Sequence, residues 1–117
     1  MLRGSCHCGA VRITIPRKPD YINDCNCSLC VKKGANWCYF TPAEVLVEGG
    51  PLHAYVRADC AEPCLTTHSC ATCGCTTHWS PLEPQTLDRM GVNAGLFEPG
   101  DMDGIEVRPI DGRSWDV

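Results

Sequence analysis

The chain has 117 residues, a length that favours one domain spanning 1–117, and ten basic against 14 acidic residues leave a formal net charge of −4. Its longest basic run is Lys32-Lys33, so the concentrated patch of a nucleic-acid binder is missing, and no apolar stretch approaches the ~20 residues needed to cross a bilayer. The opening MLRGSCHCGAV lacks the apolar segment of a secretory signal, so the protein is expected in the cytoplasm, where thiols stay reduced.

Along the chain, strand signals dominate. GAVRITI alternates Val11, Ile13 and Ile15 with Ala10, Arg12 and Thr14, the period of a half-buried strand, and PRKPD ends it. NWCYF is rich in β-formers and stops at Thr41-Pro42. EVLVEG reads as a strand entering the turn GGP, with PLHAYV as its expected hairpin partner. CLTTHSC and CTTHWS are β-compatible runs either side of ATCG, RMGVNAGLF allows another strand, and GIEVRPI gives a short one. Helical periodicity is confined to two short candidates, CSLCVKKG and PLEPQTLDRM. The expected fold is a small, mainly β, antiparallel single domain.

Eleven cysteines are many for a chain this small, and in a reducing compartment they point to metal rather than disulfides. Tetrahedral zinc with Zn–S near 2.3 Å needs ligand sulfurs roughly 3.8 Å apart. CATCG, with Cys70 and Cys73, reaches this spacing in a tight knuckle that Gly74 closes at positive φ. CHCG, with Cys6 and Cys8, needs a bend, and Gly9 stands where the bend falls. The two pairs together complete one structural four-cysteine site that would clip the first strand to the middle of the chain. CNCSLC then supplies Cys25, Cys27 and Cys30, three ligands with an open fourth position, the pattern of a catalytic zinc. Cys75, Cys38 or His78 are the candidates within the chain to close that position. An iron–sulfur centre is the alternative use of four thiolates.

GSCHCGAV, CNCSLC and HSCATCG, in this order and spacing, resemble the glutathione-dependent formaldehyde-activating family, also called the CENP-V/GFA family. LHAY, VNAGLFE and IEVRPIDGRSW extend the resemblance over nearly the whole chain. It implies a zinc-stapled β fold, the β-tent, with Cys6, Cys8, Cys70 and Cys73 on a structural Zn2+. It implies a second, catalytic Zn2+ on Cys25, Cys27 and Cys30, whose fourth position takes the thiol of glutathione. The implied activity is that of a carbon–sulfur lyase forming or cleaving S-hydroxymethylglutathione, with glutathione and an aldehyde as partners. A non-catalytic zinc-binding interaction module of the same fold is the alternative. The chain departs from the family pattern at Ser69, where Phe is common, and in carrying Cys75 and the CAEPC loop of Cys60 and Cys64.

The remaining polar and aromatic residues have plainer expectations. Lys32 and Lys33 follow Cys30 and are the nearest cations for an anionic thiol, or simply solvated surface lysines. His7 should point away from the metal between its two neighbours, and His53 and His68 should pack in strands. Cys38 reads as a small buried hydrophobe, and Trp37, Trp79 and Trp115 as core or pocket wall. Asn93 and Gly95 fit either a structural turn or the active-site lining.

Overall fold

The computed structural model describes residues 1–114. Trp115 lies outside them. In chain order the elements are β1 (Leu2–Ser5), β2 (Val11–Ile15), β3 (Tyr21–Cys25), α1 (Ser28–Lys33), β4 (Trp37–Phe40), β5 (Leu46–Gly49), β6 (Leu52–Tyr55), β7 (Leu65–Cys70), β8 (Thr76–Pro81), β9 (Met90–Asn93) and β10 (Glu106–Ile110). They make a three-stranded sheet in the order β1-β2-β5 and a seven-stranded sheet in the order β10-β3-β4-β9-β8-β7-β6. Pairing is antiparallel, as expected, except that β10 returns to lie parallel to β3, with Ile110 beside Cys25.

The alternation read in GAVRITI is the alternation seen. Val11, Ile13 and Ile15 are fully buried while Arg12 faces solvent, and each buried side chain contributes about 1.5–3 kcal/mol. Ile13 and Ile15 pack against Ile22, Cys38, Phe40, Met90, Val92 and Phe97, so the main core lies between β2 and the centre of the larger sheet. β4 is buried on both faces. Cys38 and Phe40 enter this core, whereas Trp37 joins Ala35 and Trp79 in a separate cluster, with Tyr39 and Cys30 packed against it. The second face of the large sheet is where the chemistry gathers.

Two expectations are corrected. EVLVEG and PLHAYV do not form a hairpin: β5 pairs with β2 and β6 pairs with β7, so the chain crosses between sheets at Gly49-Gly50-Pro51. The crossing is anchored on both sides, Gly50 N–H donating to Ala10 C=O at 3.1 Å and Ala71 N–H to Pro51 C=O at 3.0 Å. PLEPQTLDRM is not helical; a turn at 83–87, with the Thr86 and Leu87 N–H groups both on Glu83 C=O, leads into β9. YINDC and LRGS, which the sequence reading left unassigned, are strands β3 and β1, one paired on both sides and the other at a sheet edge.

Candidate metal centres and the cavity beside them

Cys6 and Cys8 lie in the connection from β1 to β2; Cys70 ends β7 and Cys73 lies in the connection from β7 to β8. Each connection turns on a glycine at positive φ, Gly9 at 82° and Gly74 at 81°, and neither faces a steric neighbour, so the backbone conformation alone requires glycine. Gly9 N–H donates to Cys6 C=O at 3.1 Å and Gly74 N–H to Cys70 C=O at 2.9 Å, closing a loop of three residues' separation and one of four. The loops face each other. Cys6 Sγ lies 3.7 Å from Cys8 Sγ, Cys8 Sγ lies 3.6 Å from Cys70 Sγ, and all four sulfurs fall within 4.8 Å of one another. These separations match the edge of a tetrahedral sulfur cage around zinc, so the residues fit a metal ion.

Backbone amides prepare the sulfurs for negative charge. Val11 N–H donates to Cys6 Sγ at 3.3 Å, and Thr72 and Cys73 N–H to Cys70 Sγ at 3.4 and 3.5 Å. The amides of Cys75 and Cys8 draw the Cys73 thiol down to about 5, whereas burial and the neighbouring thiols hold Cys8 up at about 12 despite an amide bond from Ala10. A metal ion bound here would displace the remaining thiol protons into solvent.

The second cluster is built differently. Cys25 ends β3, Cys27 is the N-cap of α1 and Cys30 lies in its first turn. Cys30 N–H donates to Cys27 Sγ at 3.4 Å, and Gly34, left-handed at φ 67°, ends the helix with its N–H shared between Cys30 and Val31 carbonyls. The three sulfurs lie within 4.8 Å of one another, a set that fits three ligands of one metal ion. Cys27 N–H donates to Cys25 Sγ at 3.5 Å and Trp37 Nε1–H to Cys30 Sγ at 3.4 Å. Burial raises Cys27, but the Cys30 amide and the adjoining thiols outweigh it and lower the group, while burial lifts Cys30 to about 12.

Asn26 holds the C-x-C bend in place, a role the sequence reading missed. Its N–H donates to Ile110 C=O at 3.0 Å and its Nδ2 to Asp111 Oδ1 at 3.0 Å. Its Oδ1 accepts from Arg113 N–H at 2.9 Å, and its C=O from Arg113 Nε at 3.0 Å. The closing IDGR segment thus clamps the residue between two thiols. The signal was present in the sequence as the IEVRPIDGRSW echo, without a geometric partner.

All three thiols border one cavity of about 310 Å³, at the lower end of the range for small-molecule sites. Its apolar wall is Trp37, Trp79, Leu65 and Leu87; its polar groups are Asn23, Tyr39, Arg57 and Arg89. Trp79 reaches the wall because Gly91, opposite it on β9, leaves space that its indole fills. Arg57 and Leu29 also border a neighbouring groove of about 470 Å³ that contains Lys32, Lys33 and Tyr55. The lysines therefore flank the thiol cavity rather than line it, and Lys33 Nζ stands 5.0 Å from the Tyr55 ring centre.

None of the three residues named to close the second cluster does so. Cys38 is fully buried and donates to Val92 C=O at 3.3 Å. Cys75 packs beside the four-thiol cluster. His78 is buried, stacked on His68 at 4.4 Å, and bonded through Nδ1 to Thr77 Oγ1 at 2.8 Å; burial, with His68 beside it, lowers it to about 4. His68 packs in β7 as expected, but His53 is exposed, because β6 is the edge strand of its sheet. The His7 side chain is exposed between its two cysteines. Cys64 borders the thiol cavity, while Cys60 does not. Asn93 makes a turn: its Oδ1 accepts from Gly95 N–H at 3.0 Å and its Nδ2 donates to Thr76 C=O at 2.8 Å. It lines a different cavity, with Gly95 and Phe97.

No helix among the described residues is long and apolar enough to cross a membrane. A crystal structure of a protein from Rhodobacter sphaeroides is similar, with a TM-score of 0.68 and 25% identity, covering 92% of this chain and 100% of that one. The family model described as glutathione-dependent formaldehyde-activating enzyme matches residues 1–110, a span that includes both thiol clusters and every wall residue of the cavity. The chain belongs to the glutathione-dependent formaldehyde-activating enzyme family.

Proposed function

We propose that the protein is a zinc-dependent carbon–sulfur lyase that forms or cleaves the adduct of an aldehyde with a thiol such as glutathione, with Cys25, Cys27 and Cys30 as the catalytic metal site and Cys6, Cys8, Cys70 and Cys73 as the structural one. The observation that supports it is that three thiols lie within 4.8 Å of one another on one cavity, and among the described residues no fourth His, Cys or carboxylate joins that group; Cys64 lines the cavity outside it. A zinc ion held there would supply Lewis acidity and keep an incoming thiol ionised at neutral pH.

The chain's own residues set the conditions. The indole N–H of Trp37 and the backbone amides of Cys27 and Cys30 point at the three sulfurs and would stabilise their anionic form on a bound metal ion. Trp37, Trp79, Leu65 and Leu87 restrict water, which otherwise competes for the aldehyde carbon. In the forward direction the sulfur lone pair forms the C–S bond, the carbonyl π pair moves to oxygen, and that oxygen takes up the proton the thiol released. Cleavage is the same sequence in reverse, so no redox partner is needed.

The test is exchange spectroscopy of glutathione and formaldehyde by NMR, with zinc content measured on the same sample. Acceleration of adduct exchange above the uncatalysed rate, lost in Cys27→Ala, is the expected result. Zinc-loaded protein that leaves the exchange rate at background would overturn the lyase reading in favour of an interaction module.

A further inference from the structure

The CAEPC loop, one of the chain's departures from the family pattern, plays no part in the chemistry above. It belongs to the connection from β6 to β7, and both ends of that connection are fixed beside the three-thiol cavity. At the front, Asp59 accepts from Arg57 at 2.7 and 2.9 Å and from Ser28 Oγ at 3.2 Å, and Ser28 is the residue of α1 that follows Cys27. At the back, Cys64 C=O accepts from Leu82 N–H at 2.9 Å, and Leu65, the next residue, is already cavity wall. The connection is thereby tied to the helix that presents Cys27 and Cys30 and to the strand pair that carries the wall.

Its two cysteines stand in unlike places. Cys64 is exposed and lines the cavity with Cys25, Cys27 and Cys30, whereas Cys60 is half-buried and does not line it. One cavity therefore holds four thiols, three within 4.8 Å of one another and the fourth apart from them. Four thiolates close a tetrahedral metal site, and three leave one position open. Cys64 suits that position in two ways. It is a free thiol whose sulfur turns among three staggered settings about a single bond. It is also tethered, and a group held on the same chain acts at a local concentration on the order of millimolar.

We propose that Cys64 is an exchangeable fourth ligand of the three-thiol metal site: it closes the site when no substrate thiol is present and yields the position when one binds. The inference rests on the reading of that site given above and adds the residue that guards its open position. In the exchange the incoming thiol gives its proton to the departing Cys64 sulfur, so one thiolate replaces another and the charge of the site is unchanged. Between substrates, Cys64 keeps water from the position.

The experiment uses the full-length Co2+-substituted protein. The intensity of its thiolate-to-cobalt absorption counts Co–S bonds, and equilibrium dialysis of radiolabelled 2-mercaptoethanol measures thiol affinity. Cys64→Ser should lose the absorption of one Co–S bond, which added 2-mercaptoethanol restores, while Cys60→Ser should match wild type. Cys64→Ser should also bind 2-mercaptoethanol roughly tenfold more tightly than wild type, the factor expected if Cys64 holds the position in about nine-tenths of the molecules. Equal absorption and equal thiol affinity in wild type and Cys64→Ser would overturn the assignment, while the thiol binding itself upheld the open site. The same loss in Cys60→Ser would overturn it too, by showing that the loop's fold matters rather than one sulfur. A weakened Cys64→Ser that binds no thiol would overturn the exchange and the thiol reading together. A single Co2+ per chain would remove the second metal site on which both rest.

Discussion

Asn26 has no chemistry to offer a metal, yet its amide group and both its backbone polar groups are committed to the end of β10 and the segment after it. The consequence is a fixed bend between Cys25 and Cys27, where a flat strand would hold alternate side chains too far apart for one ion. Such supporting contacts are typically worth 10–100-fold in metal affinity. Asn26→Ala should therefore weaken metal binding at the three-thiol cluster by about that factor and leave the four-thiol cluster unchanged. Competition against a chromophoric chelator resolves the two sites. Equal weakening of both would mean that Asn26 acts through overall stability instead.

At the scale of elements, β9 shows how an absent side chain builds a site. Gly91 pairs with Tyr39 on one side and Trp79 on the other, and a Cβ there would run into the Trp79 indole. Trp79 and Tyr39 consequently meet at 6.1 Å in a tilted arrangement over the glycine, forming one wall of the thiol cavity. Gly91→Ala should displace the indole and cost about 1–3 kcal/mol, the usual range for overpacking a tight core. A lower urea midpoint with an unchanged slope, together with an altered tryptophan emission maximum, is the expected outcome. An unshifted midpoint would show that Trp79 has room to move aside.

For the whole molecule, the position of the four-thiol cluster matters more than its composition. Cys6 and Cys8 belong to a loop of the small sheet, and Cys70 and Cys73 to the end of β7 and the loop after it in the large one, so a bound ion would join the two sheets. A structural zinc site contributes roughly 10–16 kcal/mol of apparent binding free energy, comparable with the 5–15 kcal/mol stability of a domain. Cys73→Ala should therefore leave the protein largely unfolded, read as loss of near-UV circular dichroism. Cys27→Ala should stay folded with one metal ion fewer. Two variants with one phenotype would erase the distinction between a structural and a catalytic site.

Much of this was legible in residue order. The alternation in GAVRITI, the two C-x-C/C-x-x-C pairs with their glycines and the CNCSLC triplet depend on local geometry, which neighbouring residues determine. For the same reason Gly9 and Gly74 take the positive φ that their knuckles demand. The failures share the opposite cause. EVLVEG and PLHAYV look like a hairpin because hairpins are the local solution, but each strand finds its partner in a different sheet, across a large sequence separation. Lys32 and Lys33 were the obvious cations because they adjoin Cys30, whereas Arg57 and Arg89 reach the cavity from β6's far end and the approach to β9. Local chain geometry thus determined the thiol groups; long-range strand pairing alone decided which side chains face them.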